Sequence, residues 1–377
     1  MALNIGIYNV QMQAMGGGEK LTLALAEHLS LEHNVSLFCA EPLDVASVEK
    51  FFEVDLSRVK IVLLERLNPL SRVVATIRRR FAVAVSFHHH SQLRRFHLDI
   101  LINNSYASGL KCPAARGIFM CMFPHPIKGD NSVDTYSLVV AISQYSADWI
   151  AKMWNRRAEI IYPPCDDMGP PAVKANMIMH VGRFIADTKT DERHHKGQAL
   201  MLDAFKRLTD LHKDGWELHF VGSIAPDKRS AKFARKIVQN AAGLPVFFHF
   251  DAAREEIRDL YRRAAIYWHA TGYGFDVKKH PAKQEHFGIS TVEAMSAGAV
   301  PVVYASGGQQ EIVTDKVDGF WWTDIDALIS HTATLAEDRE LRGRAARQAI
   351  RSSKRFSRAV FAAHIDEVIA KSLTARF

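Results

Sequence analysis

The sequence predicts an α/β protein made of two doubly wound, parallel-sheet domains facing a cleft. Three observations carry that expectation. Short β-branched or apolar runs alternate with longer helical patterns from end to end, which is how βα units read. A proline-rich break interrupts the alternation once, and the alternation then restarts. The chain has 377 residues, enough for two domains that each bury a core.

In the first half, strands are expected at 3–8, 35–38, 59–64, 98–103, 118–123, 138–142 and 159–162. The break is "YPPCDDMGPPAVKAN", which holds four of the 13 prolines and has the composition of a linker, placing the boundary at 166–174. Strands resume at 177–181, 218–221, 246–249, 266–269 and 300–304. A last helical pattern over 357–372 carries Val360, Phe361, Ile365, Val368 and Ile369 along one stripe that needs a surface to cover it. Open sheets of this kind bind ligands at the carboxyl ends of their strands, so the cleft is the expected site.

Hydrophobic content of 48% and charged content of 24% are those of a soluble globular protein. No apolar stretch reaches the length of a membrane span, and no signal-peptide layout is seen. Cys39, Cys112, Cys121 and Cys165 form no CxxC pair, so reduced thiols and a cytoplasmic setting are expected. The net charge of +7 points to anionic partners without saying which.

Two stretches hold the candidate chemistry. "AMGGGEKLTLAL" at 14–25 puts three glycines before a helical pattern, which reads equally as a tight turn or as a loop that lets a ligand approach the backbone. The dinucleotide fingerprint fails at Leu21 and the P-loop fails at Glu19. "EHFGISTVEAMSAG" at 285–298 sets Glu285 in a loop and Glu293 on the following helix, with Ser290 or Thr291 as the expected N-cap. Amides of Phe287, Gly288 and Ile289 would then face an anion, and Glu293 could accept from a pair of hydroxyls.

The segment "HATGYGFDVKKHPAKQEHFGISTVEAMSAGAVPVVYASGGQQEIVTDKVDGFWW" closely resembles the donor region of glycosyltransferase family 4, retaining enzymes of the GT-B fold. "GGGEK", "FPHP", "YPP", "VGRF" and "HKGQALMLDAFKRL" extend the likeness along the chain. The resemblance implies two Rossmann-like domains, 1–168 on the acceptor side and 169–356 binding a nucleotide sugar, with a helix over 357–377 crossing back to the first. It implies a ligand role for Gly17, Gly18 and Glu19 beside the donor diphosphate. Arg183 and Lys196 match the basic pair that holds the diphosphate, although Lys189 lies in the intervening stretch. Glu293 would accept from the ribose, Glu285 would bind the donor sugar on its reacting face, and His125 of "FPHP" would contact the sugar near its anomeric carbon.

The implied activity is metal-independent, retaining transfer of a hexose-type sugar from a nucleoside diphosphate to a hydroxyl acceptor, with no cofactor. GDP-mannose or a UDP-sugar would be the donor, and a lipid-linked saccharide of surface polysaccharide or glycolipid assembly the acceptor. The rival readings are a sugar-nucleotide epimerase of the same fold and a non-catalytic glycan- or membrane-binding subunit. "TIRRRF" at 76–81, with Arg66, Arg72, Arg94 and Arg95 around it, suits peripheral contact with an anionic leaflet at the inner face of the membrane, or equally a solvated helix. "FHHHSQ" at 87–92 lacks metal-ligand spacing, so no metal site is expected, and the Asp-x-Asp of "TDIDAL" reads as a helix cap. No nucleic-acid-binding module is recognisable.

Overall fold

The computed structural model describes residues 2–12, 15–65, 78–106, 108–126, 131–186 and 196–374. The chain forms two compact units, Met1–Pro164 with Arg358–Phe377, and Cys165–Ser357. Both are Rossmann-like, with an all-parallel sheet among the described residues.

In the first unit, β1 (Asn4–Tyr8), β2 (Asn34–Cys39), β3 (Lys60–Leu63), β4 (Ile100–Asn103), β5 (Arg116–Cys121), β6 (Leu138–Ala141) and β7 (Glu159–Ile160) stand in the order β3-β2-β1-β4-β5-β6-β7. Ile5 sits opposite Val35 on one side and Ile100 on the other, so the buried apolar run of β1 fills the centre of the sheet. Strands covered on both faces read as continuous apolar runs, which is why they are visible in the sequence. Tyr8, Phe38, Leu101, Phe119, Tyr136 and Trp154 belong to its core, with Phe119 edge-on to both Tyr136 and Trp154.

The final helix, Arg358–Thr374, packs on this unit. Phe361, Ile365, Val368 and Ile369 are buried, while Val360 is only half-buried. Polar contacts fix the helix along its length: Arg358 pairs with Glu27 at 3.2 Å and donates to the Phe52 carbonyl at 2.6 Å. Asp366 meets His28 at 2.7 Å and Lys371 meets Glu159 at 2.9 Å.

In the second unit, β8 (Met177–Val181), β9 (Glu217–Val221), β10 (Val246–His249), β11 (Ile266–His269), β12 (Val300–Tyr304) and β13 (Phe320–Trp322) run in the order β10-β9-β8-β11-β12-β13. β13 was not anticipated. Its three residues are too few to show a pattern, and it is fixed by pairing Val302 with Phe320 and by burying Trp322. The unit begins earlier than the expected boundary at 168. Cys165 N–H donates to the Phe356 carbonyl at 2.9 Å, and Met168 is wholly buried in the core of this unit, so this part of the proline-rich break is packed structure.

Candidate functional site

In the second unit the strand order reverses between β8 and β11, because β8 leads to β9 on one side and β11 to β12 on the other. Ligands of doubly wound sheets bind beyond the carboxyl ends of the strands at such a point. The residues arriving there are Gly182 and Arg183 after β8 and His269 at the end of β11. Gly197, at φ +77°, presses the turn before helix Gln198–Arg207 against β11. A Cβ there would lie 2.6 Å from that of Ala270.

That turn delivers Lys196, whose stem lies against Gly182 and whose Nζ donates to Glu285 Oε2 at 2.7 Å. His269 Nε2 lies 3.1 Å from the same oxygen. The carboxylate can only accept, so the imidazole carries its proton on Nε2. His269 Nδ1 is buried and has no hydrogen-bond partner. Burial lowers the pKa of His269, and Glu285 opposes that shift only in part, so the ring is neutral.

The loop that carries Glu285 is clamped from behind. Gly308 N–H donates to the Glu285 carbonyl at 2.8 Å, and a Cβ on Gly307 would fall 2.2 Å from that oxygen. Gln309 is fully buried, donates to the Phe287 carbonyl at 3.1 Å and accepts from the Thr291 hydroxyl at 2.9 Å. The helix runs Ile289–Ser296 with Gly288 as its N-cap, which corrects the expectation that Ser290 or Thr291 caps it. The reason is conformational. Gly288 has φ 123°, a region open only to glycine, so the chain enters the helix earlier. The Ser290 hydroxyl is instead taken by Tyr267, which donates to it at 2.8 Å.

Glu293, one face along this helix, is buried among different partners. Tyr261 O–H donates to its Oε2 at 3.2 Å, and Arg254 Nη2 stands 3.6 Å from its Oε1 while also pairing with Asp166. Burial, followed by the charge of Glu293, raises the Tyr261 pKa and keeps the phenol protonated as a donor. The structure therefore brings Lys196 and Glu285 together and sets Glu293 in a separate cluster. The carbonyls of Gly182 and Arg183 both accept from Gln198 Nε2 at 3.2 Å, which holds the turn after β8.

The first unit holds the other candidates, Gly17, Gly18, Glu19 and His125. Gly17 and Gly18 open helix Gly17–Ser30, and Glu19 accepts from Gly16 N–H at 2.8 Å, which is the carboxylate half of a capping box, since Gly16 has no side chain to supply the other half. A Cβ on Gly18 would reach 3.1 Å from Met122 Sδ. His125 is half-buried, its carbonyl accepts from Trp154 Nε1 at 2.8 Å, and its ring stands edge-on to that indole. In the histidine run, His89 is a buried core residue 2.9 Å from the Tyr8 hydroxyl, with its pKa pushed down to about 4 by burial. Among the described residues no group of three or more metal-binding side chains forms a candidate metal site. Asp324 caps helix Ile325–Glu337 by accepting from Ala327 N–H at 2.9 Å. Lys189, Arg66, Arg72 and residues 76–77 lie outside the described residues.

Sequence reasoning missed His269, Arg254, Asp166, Tyr261 and Gln309. His269 had a usable signal, since a polar residue closing an otherwise apolar central strand marks the ligand end of that strand. Arg254 and Asp166 had none, because only folding brings Arg254 to Glu293 and Asp166 to Arg254.

The fold defines the class first. Over 98% of this chain and 99% of the other, the structure matches Anabaena HepE, solved in complex with UDP and glucose, with a TM-score of 0.70 at 17% identity. This is the two-domain Rossmann-like fold that the GT-B resemblance implied. More particularly, residues 172–352 match the family described as Glycosyl transferases group 1. The chain is also similar to the GDP-Man:Man(3)GlcNAc(2)-PP-Dol alpha-1,2-mannosyltransferases of Yarrowia lipolytica, at 28% identity over 46% of this chain, and Xenopus laevis, at 25% over 54%. Those alignments cover 28% and 43% of the relatives' own lengths. Together these likenesses support a glycosyltransferase. Among the described residues, no helix is long and apolar enough to cross a membrane.

Proposed function

We propose that this protein is a retaining glycosyltransferase of family 4 that moves a hexose-type sugar from a nucleoside diphosphate to a hydroxyl acceptor. The observation that carries the proposal is the Lys196–Glu285 pair at the switch point of the second unit, beside the start of helix Ile289–Ser296. A departing nucleoside diphosphate needs fixed positive charge, and a developing anomeric cation needs a carboxylate. One cation and one carboxylate 2.7 Å apart supply both.

In this reading Lys196 and Arg183 hold the diphosphate without a metal or other cofactor, aided by the amides of Phe287, Gly288 and Ile289. Glu285 faces the donor sugar, and Glu293 accepts from the ribose. Gly17, Gly18 and Glu19 are assigned to the donor diphosphate, and His125 to the donor sugar. No second carboxylate is assigned as a nucleophile, so the acceptor attacks from the face the diphosphate leaves. The departing phosphate oxygen takes the acceptor proton as the new glycosidic bond forms and the sugar–phosphate bond breaks.

The relatives' printed activity favours GDP-mannose as donor and a lipid-linked saccharide as acceptor, as in surface glycan assembly. Such an acceptor places the protein at the inner, cytoplasmic face of a membrane, a setting that suits its four free thiols. Incubation with labelled GDP-mannose, UDP-glucose and UDP-N-acetylglucosamine tests the reading. Transfer or slow donor hydrolysis supports it, epimer formation replaces it with isomerase chemistry, and no turnover of any donor rejects it.

A further inference from the structure

We propose that His269 is a positioning residue for Glu285: its Nε2–H, at the end of central strand β11, keeps the carboxylate aimed when Lys196 leaves it for the departing diphosphate. The inference rests on the donor-site reading above and adds a residue to it.

In the present structure two donors converge on one oxygen. Lys196 Nζ is 2.7 Å and His269 Nε2 is 3.1 Å from Glu285 Oε2. If Lys196 binds phosphate during the reaction, it cannot also neutralise Glu285. His269 can remain, because the strand under it is paired on both sides, with Ile266 opposite Ile178 and His269 opposite Val303. A histidine kept only for packing would be a poor choice here. Its Nδ1 is buried with no hydrogen-bond partner, a desolvation cost that an aliphatic side chain would avoid. What the imidazole provides, and an aliphatic group would not, is the Nε2–H.

Neutrality is the useful property. A cation in this place would fix the carboxylate and also cancel the charge that stabilises the anomeric centre. A neutral donor fixes its direction and leaves its charge intact. The groups that act on the ring are Glu285, which favours its protonation, and Lys196, which opposes it. Burial, acting in the same direction as Lys196, outweighs Glu285 and keeps the ring uncharged.

His269→Gln and His269→Asn separate the hydrogen bond from packing, because a Gln amide nitrogen reaches toward the Nε2 position whereas an Asn nitrogen falls near Nδ1. With the full chain and whichever nucleotide sugar it turns over, kcat of His269→Asn should fall by about tenfold or more, the worth of one hydrogen bond to a charged group. Donor KM should stay within about twofold, since the bond is needed after Lys196 departs. The acid limb of its kcat/KM profile should move to higher pH, because Glu285 has lost a donor that favours its ionised form. His269→Gln should recover most of kcat and the original limb. Equal kcat for the two variants, or loss in both with an unmoved acid limb, overturns the assignment. Absence of turnover by the wild-type chain overturns the donor-site reading itself, and that result is seen before any variant is made.

Discussion

Replacing Gly288 by alanine removes no functional group and yet should damage the second unit severely. At φ 123° and ψ 59° this residue lies where only glycine is relaxed, at a cost of about 1–3 kcal/mol for another residue. The added Cβ would also lie 2.0 Å from Gln309 Nε2. Gln309 cannot swing aside cheaply. It is fully buried, and moving it breaks its bond to the Phe287 carbonyl and strands the Thr291 hydroxyl. Each stranded buried group costs about 1–3 kcal/mol. With partial relaxation the sum is about 3–5 kcal/mol, which for a unit of this size corresponds to a fall in Tm of about 10 °C. Urea unfolding followed by circular dichroism, with a parallel donor titration, measures both consequences. The variant should unfold at lower urea and bind nucleotide sugar at least about tenfold more weakly, because the loop from Glu285 to Ile289 must shift. A stability loss below about 1 kcal/mol would refute the reasoning, since neither the backbone strain nor the Gln309 contact could then be real.

Four further outcomes are expected. Lys196→Ala and Arg183→Ala should each lower kcat by about a hundredfold or more with the fold intact, the scale of losing one preorganised charge stabiliser; near-wild-type turnover of Lys196→Ala would give its role to another group. Steady-state kinetics should show Glu285→Gln chiefly lowering kcat and Glu293→Gln chiefly raising donor KM, and the opposite pattern would mean the two carboxylates are assigned the wrong way round. Truncation before Arg358 should lower the Tm of the first unit, because Phe361, Ile365, Val368 and Ile369 each bury apolar surface worth about 1.5–3 kcal/mol, and an unchanged Tm would contradict that packing. His180 is fully buried, hydrogen-bonded to the Trp268 carbonyl, and held down to about 3. The unfolded chain therefore binds more protons between pH 6.5 and 3, and its contribution to stability is present above pH 6.5 and lost on acidification, by at most about 1.4 kcal/mol per pH unit. Urea midpoints from pH 7 to pH 5 should fall, less steeply in His180→Gln, and a flat profile in the wild type would refute the linkage.

The sequence showed most clearly what depends on neighbours in the chain. The runs around Ile5, Ile102 and Val302 read as strands because both faces of each sheet are covered, so most positions had to be apolar. Glu285 and Glu293 were legible because a loop-to-helix motif carries both. Their partners were not, for a physical reason: Arg254 reaches Glu293 from a different helix, and Arg254 is itself paired with Asp166 from a proline-rich stretch that looked like linker. Neither relation leaves a local pattern. The N-cap was misplaced because the hydroxyls of Ser290 and Thr291 advertise a cap, while the conformation that starts the helix belongs to Gly288 and is visible only in φ. Trp322 lay hidden in a strand of three residues that gains its stability from Val302 and its neighbours rather than from its own sequence.

The central claim is that the second unit binds a nucleoside-diphosphate sugar through Lys196 and the loop from Glu285 to Ile289. Calorimetric titration of GDP-mannose, UDP-glucose and UDP-N-acetylglucosamine into the full chain, in chelator-treated buffer, tests it most directly. The account predicts saturable one-to-one binding of one of these donors, with GDP-mannose favoured, and a clear loss of affinity in Lys196→Ala. Failure of all three donors to bind, or affinity unaltered by Lys196→Ala, would contradict it.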